Sequence, residues 1–239
     1  MIFCTPEKQE NPVLGQLSFI SSHPIAVEDP SGLTLDISGQ FLWTVSDMQG
    51  GSVYSISFRG EILSELTYRG DDMEGITMNP NDGTLWVVEE RLRQAVQLDI
   101  TGRVLQRIQI PVAVTDENSG PEGIALNPSN SHLYILNEKS PREFIELDRS
   151  QRVVRRVPIQ FERPFQMDDL SGLFYESESQ KFWIVSDESA KIVVTDSNLK
   201  PGMVYNLDRT KFEGIAVDSE RRRIYLVNDE EDRLYIYEY

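Results

Sequence analysis

The sequence predicts an all-β protein of the β-propeller class, and two observations carry that prediction. A strand-turn-strand unit that begins with a Ser-Gly or Glu-Gly pair and ends with a carboxylate recurs five times in 239 residues. Within each unit 15 residues separate glycine from carboxylate, whereas successive glycines are 43, 48, 49 and 42 residues apart. Repeats of about 40 to 50 residues are typical of propeller blades. The constant interval therefore marks a rigid pair of strands, and the variable interval marks loops that absorb insertions.

Each unit divides into short strands that are rich in β-branched and aromatic residues, with glycine, asparagine or aspartate at the joins. The first unit contains SGLTLDI, QFLWTVSD, SVYSISF and GEILSELTY, and the second contains EGITMNP, TLWVVEE, AVQLDIT and RVLQRIQI. The third contains EGIALNP, HLYILNE, FIELDRS and RVVRRVPI. The fourth contains SGLFYES, KFWIVSD, KIVVTDS and a weaker MVYNL segment. The fifth contains EGIAVDS, RIYLVND and RLYIYEY, and it lacks a fourth strand.

The missing strand has a candidate at the other end of the chain. Val13 to Ile20 (VLGQLSFI) is predicted as one strand that belongs to no unit. If it pairs with the last blade, it closes the ring and covers an exposed sheet edge. We therefore predict five four-stranded blades in one domain over residues 13–239, with residues 1–12 disordered or extended. Six blades is the alternative if residues 105–120 hide a degenerate blade, and a short helix is predicted at 116–119.

Composition limits the partners of this protein. The 39 acidic residues outnumber the 23 basic ones and give a net charge of −16, which disfavours nucleic acids and anionic membrane surfaces. No apolar run is long enough to span a membrane, and the first residues have no signal-peptide pattern. We expect a monomer in the cytoplasm as the sequence stands. A periplasmic or cell-envelope location is the alternative if a leader is missing from it.

The second strand of each unit carries an aromatic residue at one position. Because large buried aromatic side chains dominate core energetics, we expect this column to pack between blades. The column consists of Trp43, Trp86, Tyr134, Trp183 and Tyr225.

Acidic residues form two further columns. The residue that ends the second strand is acidic in all five units, and the residue before the glycine is glutamate in three units and serine in two. Closure of the ring would place both columns around the axis at one end of the propeller. The eight candidate metal ligands are Asp47, Glu90, Glu138, Asp187 and Asp229 in the first column and Glu74, Glu122 and Glu213 in the second.

Carboxylates crowded around one axis repel one another unless basic groups or a cation compensate them. In a structural interpretation, each acid caps backbone amides or pairs with a local base, such as Arg91 after Glu90 or Lys139 after Glu138. In a functional interpretation, several acids converge on a hard divalent cation, and calcium accepts about six to eight oxygen ligands. The sequence leaves both interpretations open.

Nucleophilic catalysis finds little support in the sequence. His23 and His132 are the only histidines and Cys4 is the only cysteine, and no Ser-His-Asp set, zinc-type spacing or phosphate loop accompanies them. Any chemistry would be metal-assisted hydrolysis that uses carboxylates.

The segments DPSGLTLD, DDMEGITMNP, LWVVEER, GPEGIALNP, DDLSGLFYE, FWIVSDES and FEGIAVD together resemble the bacterial SdiA-regulated (YjiK-like) β-propeller family from about residue 17 onwards. The chain is similar, more distantly, to esterase-like, phytase-like and NHL-repeat propellers. The resemblance implies a propeller with no established reaction, associated with calcium binding or homeostasis and often exported or membrane-anchored. The positions that it implicates are Glu74, Glu90, Arg91, Glu122, Asp187, Glu188 and Glu213.

The sequence thus supports one leading hypothesis and two alternatives. The leading one is a non-catalytic propeller that binds a divalent cation, with calcium as the cofactor, and presents its acidic axial face to an unknown small ligand or protein. The alternatives are a metal-dependent hydrolase of phosphoesters or lactones, and a pure interaction scaffold whose acids only shape turns. Glutamate at the position of Glu74 occurs in three units, and arginine at the position of Arg91 occurs in one. These two residues of the second unit therefore go beyond the common pattern.

Overall fold

A computed structural model describes residues 13–112 and 119–239 as five β-sheets arranged in a ring. The chain opens with β1 (Val13–Leu14) and β2 (Ser18–Pro24). Blade 1 contains β3 (Pro30–Leu35), β4 (Leu42–Ser46), β5 (Val53–Ile56) and β6 (Ile62–Glu65). Blade 2 contains β7 (Met73–Met78), β8 (Leu85–Glu89), β9 (Gln94–Leu98) and β10 (Val104–Gln109). Blade 3 contains β11 (Pro121–Asn127), β12 (His132–Asn137), β13 (Glu143–Leu147) and β14 (Val153–Pro158). Blade 4 contains β15 (Gly172–Glu176), β16 (Lys181–Ser186), β17 (Lys191–Thr195) and β18 (Pro201–Asn206). Blade 5 contains β19 (Phe212–Asp218), β20 (Arg223–Asn228) and β21 (Arg233–Glu238).

The predicted five-bladed propeller is confirmed. The inner strands β3, β7, β11, β15 and β19 each contact the inner strands of both neighbouring blades, so the ring is closed. Residues 104–109 form the outer strand of blade 2 rather than part of a sixth blade. The prediction for residues 1–12 lies outside the described residues, and so do residues 116–118 of the helix predicted at 116–119. No helix in the part of the chain that the structure describes could cross a membrane.

The N-terminal segment closes the ring, but as two strands rather than the one that we predicted. β2 pairs with β21 and supplies the fourth strand of blade 5, whereas β1 adds in parallel to β18 at the edge of blade 4. Gly15 divides them: its amide donates to the carbonyl of Val204, and a Cβ at this position would collide with the ring of Tyr205. The close approach to that ring turns the chain from one blade to the next.

Five apolar cores hold the ring together, one between each pair of neighbouring blades. Each core contains one member of the aromatic column, and all five of these side chains are buried. The prediction that this column packs between blades is therefore confirmed. By boundary, Trp43 lies between blades 1 and 2, Trp86 between 2 and 3, Tyr134 between 3 and 4, Trp183 between 4 and 5, and Tyr225 between 5 and 1.

The repeated glycines bring the inner strands together at the axis. A Cβ at Gly32 would lie 2.6 Å from the amide nitrogen of Ile76 in blade 2, and one at Gly172 would lie 2.5 Å from the carbonyl oxygen of Glu213 in blade 5. At Gly75 it would overlap the carbonyl oxygen of Glu122. These positions therefore require glycine because the backbones of neighbouring blades touch there.

Candidate metal centre at the carboxylate end of the axis

Each second-strand acid follows directly on the strand that positions it. Its amide donates to the carbonyl three residues before the glycine in four blades, as from Glu90 to Asp72 (2.9 Å) and from Glu138 to Gly120 (2.9 Å). This bond ties the end of the second strand to the start of the first. The two acidic columns consequently lie at the same end of the propeller, as predicted.

Five carboxylates at the boundary between blades 2 and 3 come close enough to share cations. They form two triads with Glu90 in common, and within each triad one oxygen of every residue lies within 4.8 Å of the others. Calcium binds carboxylate oxygens at about 2.3–2.6 Å, so two ligands on opposite sides of one ion are about 5 Å apart. We call these five residues the carboxylate cluster; they are Asp72, Glu74, Glu90, Glu122 and Glu138.

The cluster contains carboxyl groups that resist ionisation. Burial raises the pKa of Glu74 to about 8, and the charges of Asp47, Glu90 and Asp72 add to this effect, while a bond from Ser31 opposes it. Burial raises the pKa of Glu90 to about 7, with Asp72 adding to the effect and the Gly120 amide opposing it.

Two further members of the cluster, Glu122 and Glu138, behave in the same way. Burial, followed by the charges of Glu138, Glu213 and Glu74, raises the pKa of Glu122 well above its ordinary value. The pKa of Glu138 is also raised by burial, although Lys139 opposes the shift. Burial is the largest cause in all four groups, and neighbouring negative charges add to it.

Polar partners satisfy only part of the cluster. The Ser31 hydroxyl lies 2.8 Å from both the backbone oxygen and Oε2 of Glu74, and the Gly120 amide donates to Oε1 of Glu90 at 2.6 Å. Oδ2 of Asp72 is buried and accepts no hydrogen bond within residues 13–112 and 119–239. No side-chain hydrogen bond joins Glu122 to another of the described residues. These oxygens are free to coordinate a cation.

Arg91 does not neutralise the residue beside it. Its guanidinium contacts Asp71 (3.3 Å) and Asp72 (3.2 Å), so the expected pairing with Glu90 is wrong. The pairing of Lys139 with Glu138 is confirmed, and Lys139 also contacts Glu188 at 2.9 Å. The two bases therefore lie at opposite edges of the cluster and leave its centre to carboxylates.

Three other predicted ligands lie at the same end of the axis but outside both triads. Asp187 accepts bonds from the amide (2.6 Å) and Nζ (3.1 Å) of Lys211, and Asp229 accepts one from the Glu230 amide (2.6 Å). Asp47 has its pKa raised to about 6 by burial and by Asp29 and Asp72. For Asp187 and Asp229 the capping interpretation describes the contacts well.

Glu213 completes the set of eight. Burial raises its pKa well above the ordinary value, and the charges of Asp187, Glu74 and Asp229 add to this, with Lys211 opposing. It therefore faces the cluster across the axis without joining a triad.

Two important acids, Asp72 and Asp169, were missed by the sequence analysis. Asp72 is a member of the cluster, and Asp169 is a fully buried residue of blade 4 that accepts bonds from four donors. Both lie three residues before the repeated glycine. Extending the comparison of units by two positions would have revealed this column, which consists of Asp29, Asp72, Gly120, Asp169 and Lys211.

The histidines lie away from this centre. His132 begins β12, at the end opposite Glu138, where its Nδ1 lies 2.7 Å from Oε1 of Glu146. His23 contacts Ser21 in the outer strand of blade 5. Neither stands beside the carboxylate cluster.

Comparisons with known proteins agree with this architecture. The sequence model of the SdiA-regulated family matches residues 19–238, nearly the whole chain. The chain belongs to the SdiA-regulated family. This confirms the resemblance drawn from the repeated motifs.

Solved structures similar to this SdiA-regulated protein share its fold at low sequence identity. A glutaminyl cyclase from Myxococcus xanthus superimposes with a TM-score of 0.72 at 14% identity, covering 95% of this chain and 97% of that one. A chain of a nidogen/laminin complex gives 0.60 at 14% identity, with 84% and 73% covered. A Bacteroides caccae protein of unknown function gives 0.54 at 15% identity, with 75% and 72% covered.

Proposed function

We propose that this SdiA-regulated protein is a calcium-binding propeller whose carboxylate cluster holds the ion and presents it at the axial face. The observation that carries the proposal is the geometry of the two triads that share Glu90. Five acids from two blades converge there, and the chain supplies Arg91 and Lys139 only at the edges. An assembly of this charge gains stability from a divalent cation.

The ligand set favours calcium over other metals. All its members are oxygen donors, and no histidine or cysteine joins either triad. Carboxylates from the starts of two inner strands and from the turns beside them offer the oxygen-rich geometry that calcium accepts, whereas magnesium demands near-ideal octahedral geometry and retains several waters. If the bound ion has a coordination position that no protein oxygen fills, a small ligand or a partner protein can bind the ion there.

Calorimetric titration of the whole chain with calcium, followed by thermal melting, tests the proposal. Saturable heat and a higher melting temperature are expected with calcium, and a much weaker response with magnesium. Glu90→Gln should abolish both effects because Glu90 belongs to both triads. Asp229→Asn is the matched control, since it lies in the same column and outside the triads. No heat and no change in melting at millimolar calcium would exclude the function.

A metal-dependent hydrolase is the second candidate, and one observation favours it. With a pKa of about 8, Glu74 retains its proton at neutral pH, as a general acid must. Phosphoesters and lactones, with and without calcium, are suitable substrates for a screen. Because the glutaminyl cyclase shares this fold, a peptide with N-terminal glutamine belongs in the same panel. Activity that survives both Glu74→Gln and Glu122→Gln would show that this centre does not carry the chemistry.

A further inference from the structure

A second site lies at the opposite end of blade 4 and is independent of the carboxylate cluster. A cavity of about 810 Å³ opens beside the turns that connect β15 to β16 and β17 to β18. These turns are at the strand ends away from Asp187, because Glu176 pairs with Lys181 and Phe182 pairs with Thr195 there. The volume falls within the range of about 300–1,000 Å³ found for small-molecule sites.

The wall of this cavity is aromatic. Trp183 stacks on Tyr205 with centroids 5.8 Å apart and an interplanar angle of 8°, and Tyr239 meets Trp183 edge-on at 4.9 Å. Met203 adds a flexible apolar surface. Such a wall suits a flat apolar molecule, which would stack on or pack against these rings.

One polar group of the wall lacks a partner. Trp183 is only 3% exposed, and its indole Nε1 is buried with no hydrogen-bond acceptor among the residues that the structure describes. By contrast, Nε1 of Trp43, at the same position in blade 1, donates to Asp36 at 3.1 Å. A buried N–H group without an acceptor is unfavourable, so the fold itself leaves this part of the wall unsatisfied.

The charges at the rim favour an anion. Lys181 and Lys200 line the cavity and form no ion pair in residues 13–112 and 119–239. The two acids of the rim are already engaged: Glu176 accepts bonds from Ser179 and Ser219, and Asp196 accepts them from the amides of Asn198 and Lys200. Together with Arg222, which also lines the cavity, the two ammonium groups outnumber the two carboxylates of the rim, which reverses the charge balance locally in a chain with a net charge of −16.

We propose that this cavity is a binding site for a small aromatic anion. The aromatic body packs against the wall of Trp183, Tyr205 and Tyr239, and the anionic group lies near Lys181 and Lys200. The site does not depend on the calcium function, because it lies at the other end of the blade.

Fluorescence titration with the aromatic sulfonate 8-anilinonaphthalene-1-sulfonate tests this proposal, with neutral N-phenyl-1-naphthylamine as the uncharged control. Saturable binding of one sulfonate per chain is expected, equally with calcium and with chelator. Lys181→Gln with Lys200→Gln should weaken sulfonate binding by about fivefold and leave the neutral probe within about twofold. Trp183→Phe should weaken binding by about threefold or more, and Trp86→Phe, in another blade core, should not.

A steric variant provides the decisive comparison. Gly202 lines the cavity, and a Cβ placed there meets no atom within 4 Å, so a larger side chain can enter without a clash at the backbone. Gly202→Phe should weaken the sulfonate at least about tenfold, and Gly202→Ala should not. Unchanged binding to folded Gly202→Phe would overturn the proposal, as would non-saturable binding. If that variant does not fold, equal sulfonate affinity of the double lysine variant and the unmodified chain would overturn it.

Discussion

Glu122 in blade 3 and Asp169 in blade 4 both lie at the acidic end of the axis, but their surroundings are opposite. Asp169 accepts bonds from the hydroxyls of Ser171 and Ser186 and from the amides of Asp187 and Glu188. Glu122 instead faces other acids, and burial together with the charges of Glu138, Glu213 and Glu74 raises its pKa. Donors make the first carboxylate part of the fold, whereas the second requires a proton or a cation.

The difference arises from one column of the repeat. Blades 1 and 4 have serine before the repeated glycine, and blades 2, 3 and 5 have glutamate. Ser31 donates to Glu74, and Ser171 donates to Asp169, so each serine supplies a hydrogen where a glutamate would add a charge. The propeller therefore has two unlike sides. On the side that we call self-satisfied, the acids accept hydrogen bonds from the protein, and on the other side the acids outnumber the basic groups beside them.

The largest effect is expected from breaking the self-satisfied side. Asp169→Ala leaves four buried or half-buried donors without an acceptor and should cost about 3 kcal/mol in the free energy of unfolding. At roughly 2–4 °C per kcal/mol, the melting temperature should fall by about 6–12 °C. Thermal melting checks this, with exposed Glu178→Ala as control. A loss below about 1 kcal/mol would remove the distinction drawn between the two sides.

The pH dependence of stability is the next largest expected effect. The folded-state pKa values of Glu74 (about 8) and Glu90 (about 7) exceed the ordinary value of 4.5, so the folded protein binds more protons between these limits. Stability contributed by these groups is present below pH 4.5 and is lost as pH rises through 7 and 8.

Melting in chelator should therefore show a midpoint about 5–10 °C lower at pH 8.5 than at pH 5.5. Saturating calcium should remove most of that difference, because the ion replaces the protons. Glu74→Gln with Glu90→Gln should flatten the profile in chelator. A midpoint that rises with pH in chelator would contradict the electrostatic account of the cluster.

A smaller effect is expected from removing one charge from the cluster. In chelator at pH 8, Glu122→Gln should raise the free energy of unfolding by about 1–2 kcal/mol, because the glutamine need not be ionised beside three acids. The same variant should lose most of the stabilisation by calcium. Chemical denaturation with and without calcium measures both quantities, and exposed Glu162→Gln should change neither. Lower stability in chelator would mean that Glu122 has a favourable partner after all.

The smallest effect concerns the boundary between blades 4 and 5. Lys211 Nζ lies 3.1 Å from Asp187 and opposes the upward pKa shift of Glu213. Lys211→Met should lower stability by about 0.5–1 kcal/mol, as for a partly exposed ion pair. Its amide bond to Asp187 survives the substitution, which limits the loss. Lys200 is an exposed lysine without an ion pair among the described residues, so Lys200→Met is the control. Chemical denaturation of both variants measures how much the ion pair adds to the free energy of unfolding.

Much of the fold could be predicted from sequence because the repeat records it. The 15-residue interval between glycine and acid reflects a glycine held at the axis and an acid amide bonded back to the start of the inner strand. The packing of the aromatic column could be predicted equally well, since each member occupies the equivalent position in its own blade interface. The division of the N-terminal segment into two strands could not be predicted from the sequence, because it depends on the contact of Gly15 with Tyr205, 190 residues away.

The candidate site was only half predictable, for a physical reason. Equivalent positions in a repeat predict that residues share one end of the ring, but not which of them face a donor. Whether Asp187 meets Lys211, or Asp72 meets Glu90, depends on the residue three positions before each glycine. Arg91 shows the same limit, because its neighbour in sequence is Glu90 but its partners are Asp71 and Asp72.

The glycine contacts at the axis determine whether water or ions can pass through the centre of the ring. Where the inner strands meet, the space lined by Gly32, Gly75, Gly123, Gly172 and Gly214 has a volume of only about 10 Å³. A cavity must offer roughly 10–15 Å³ to admit one water molecule. The centre of the ring is therefore too narrow to serve as a pore, and an ion that reached the carboxylate cluster would have to arrive and depart at the acidic end of the axis.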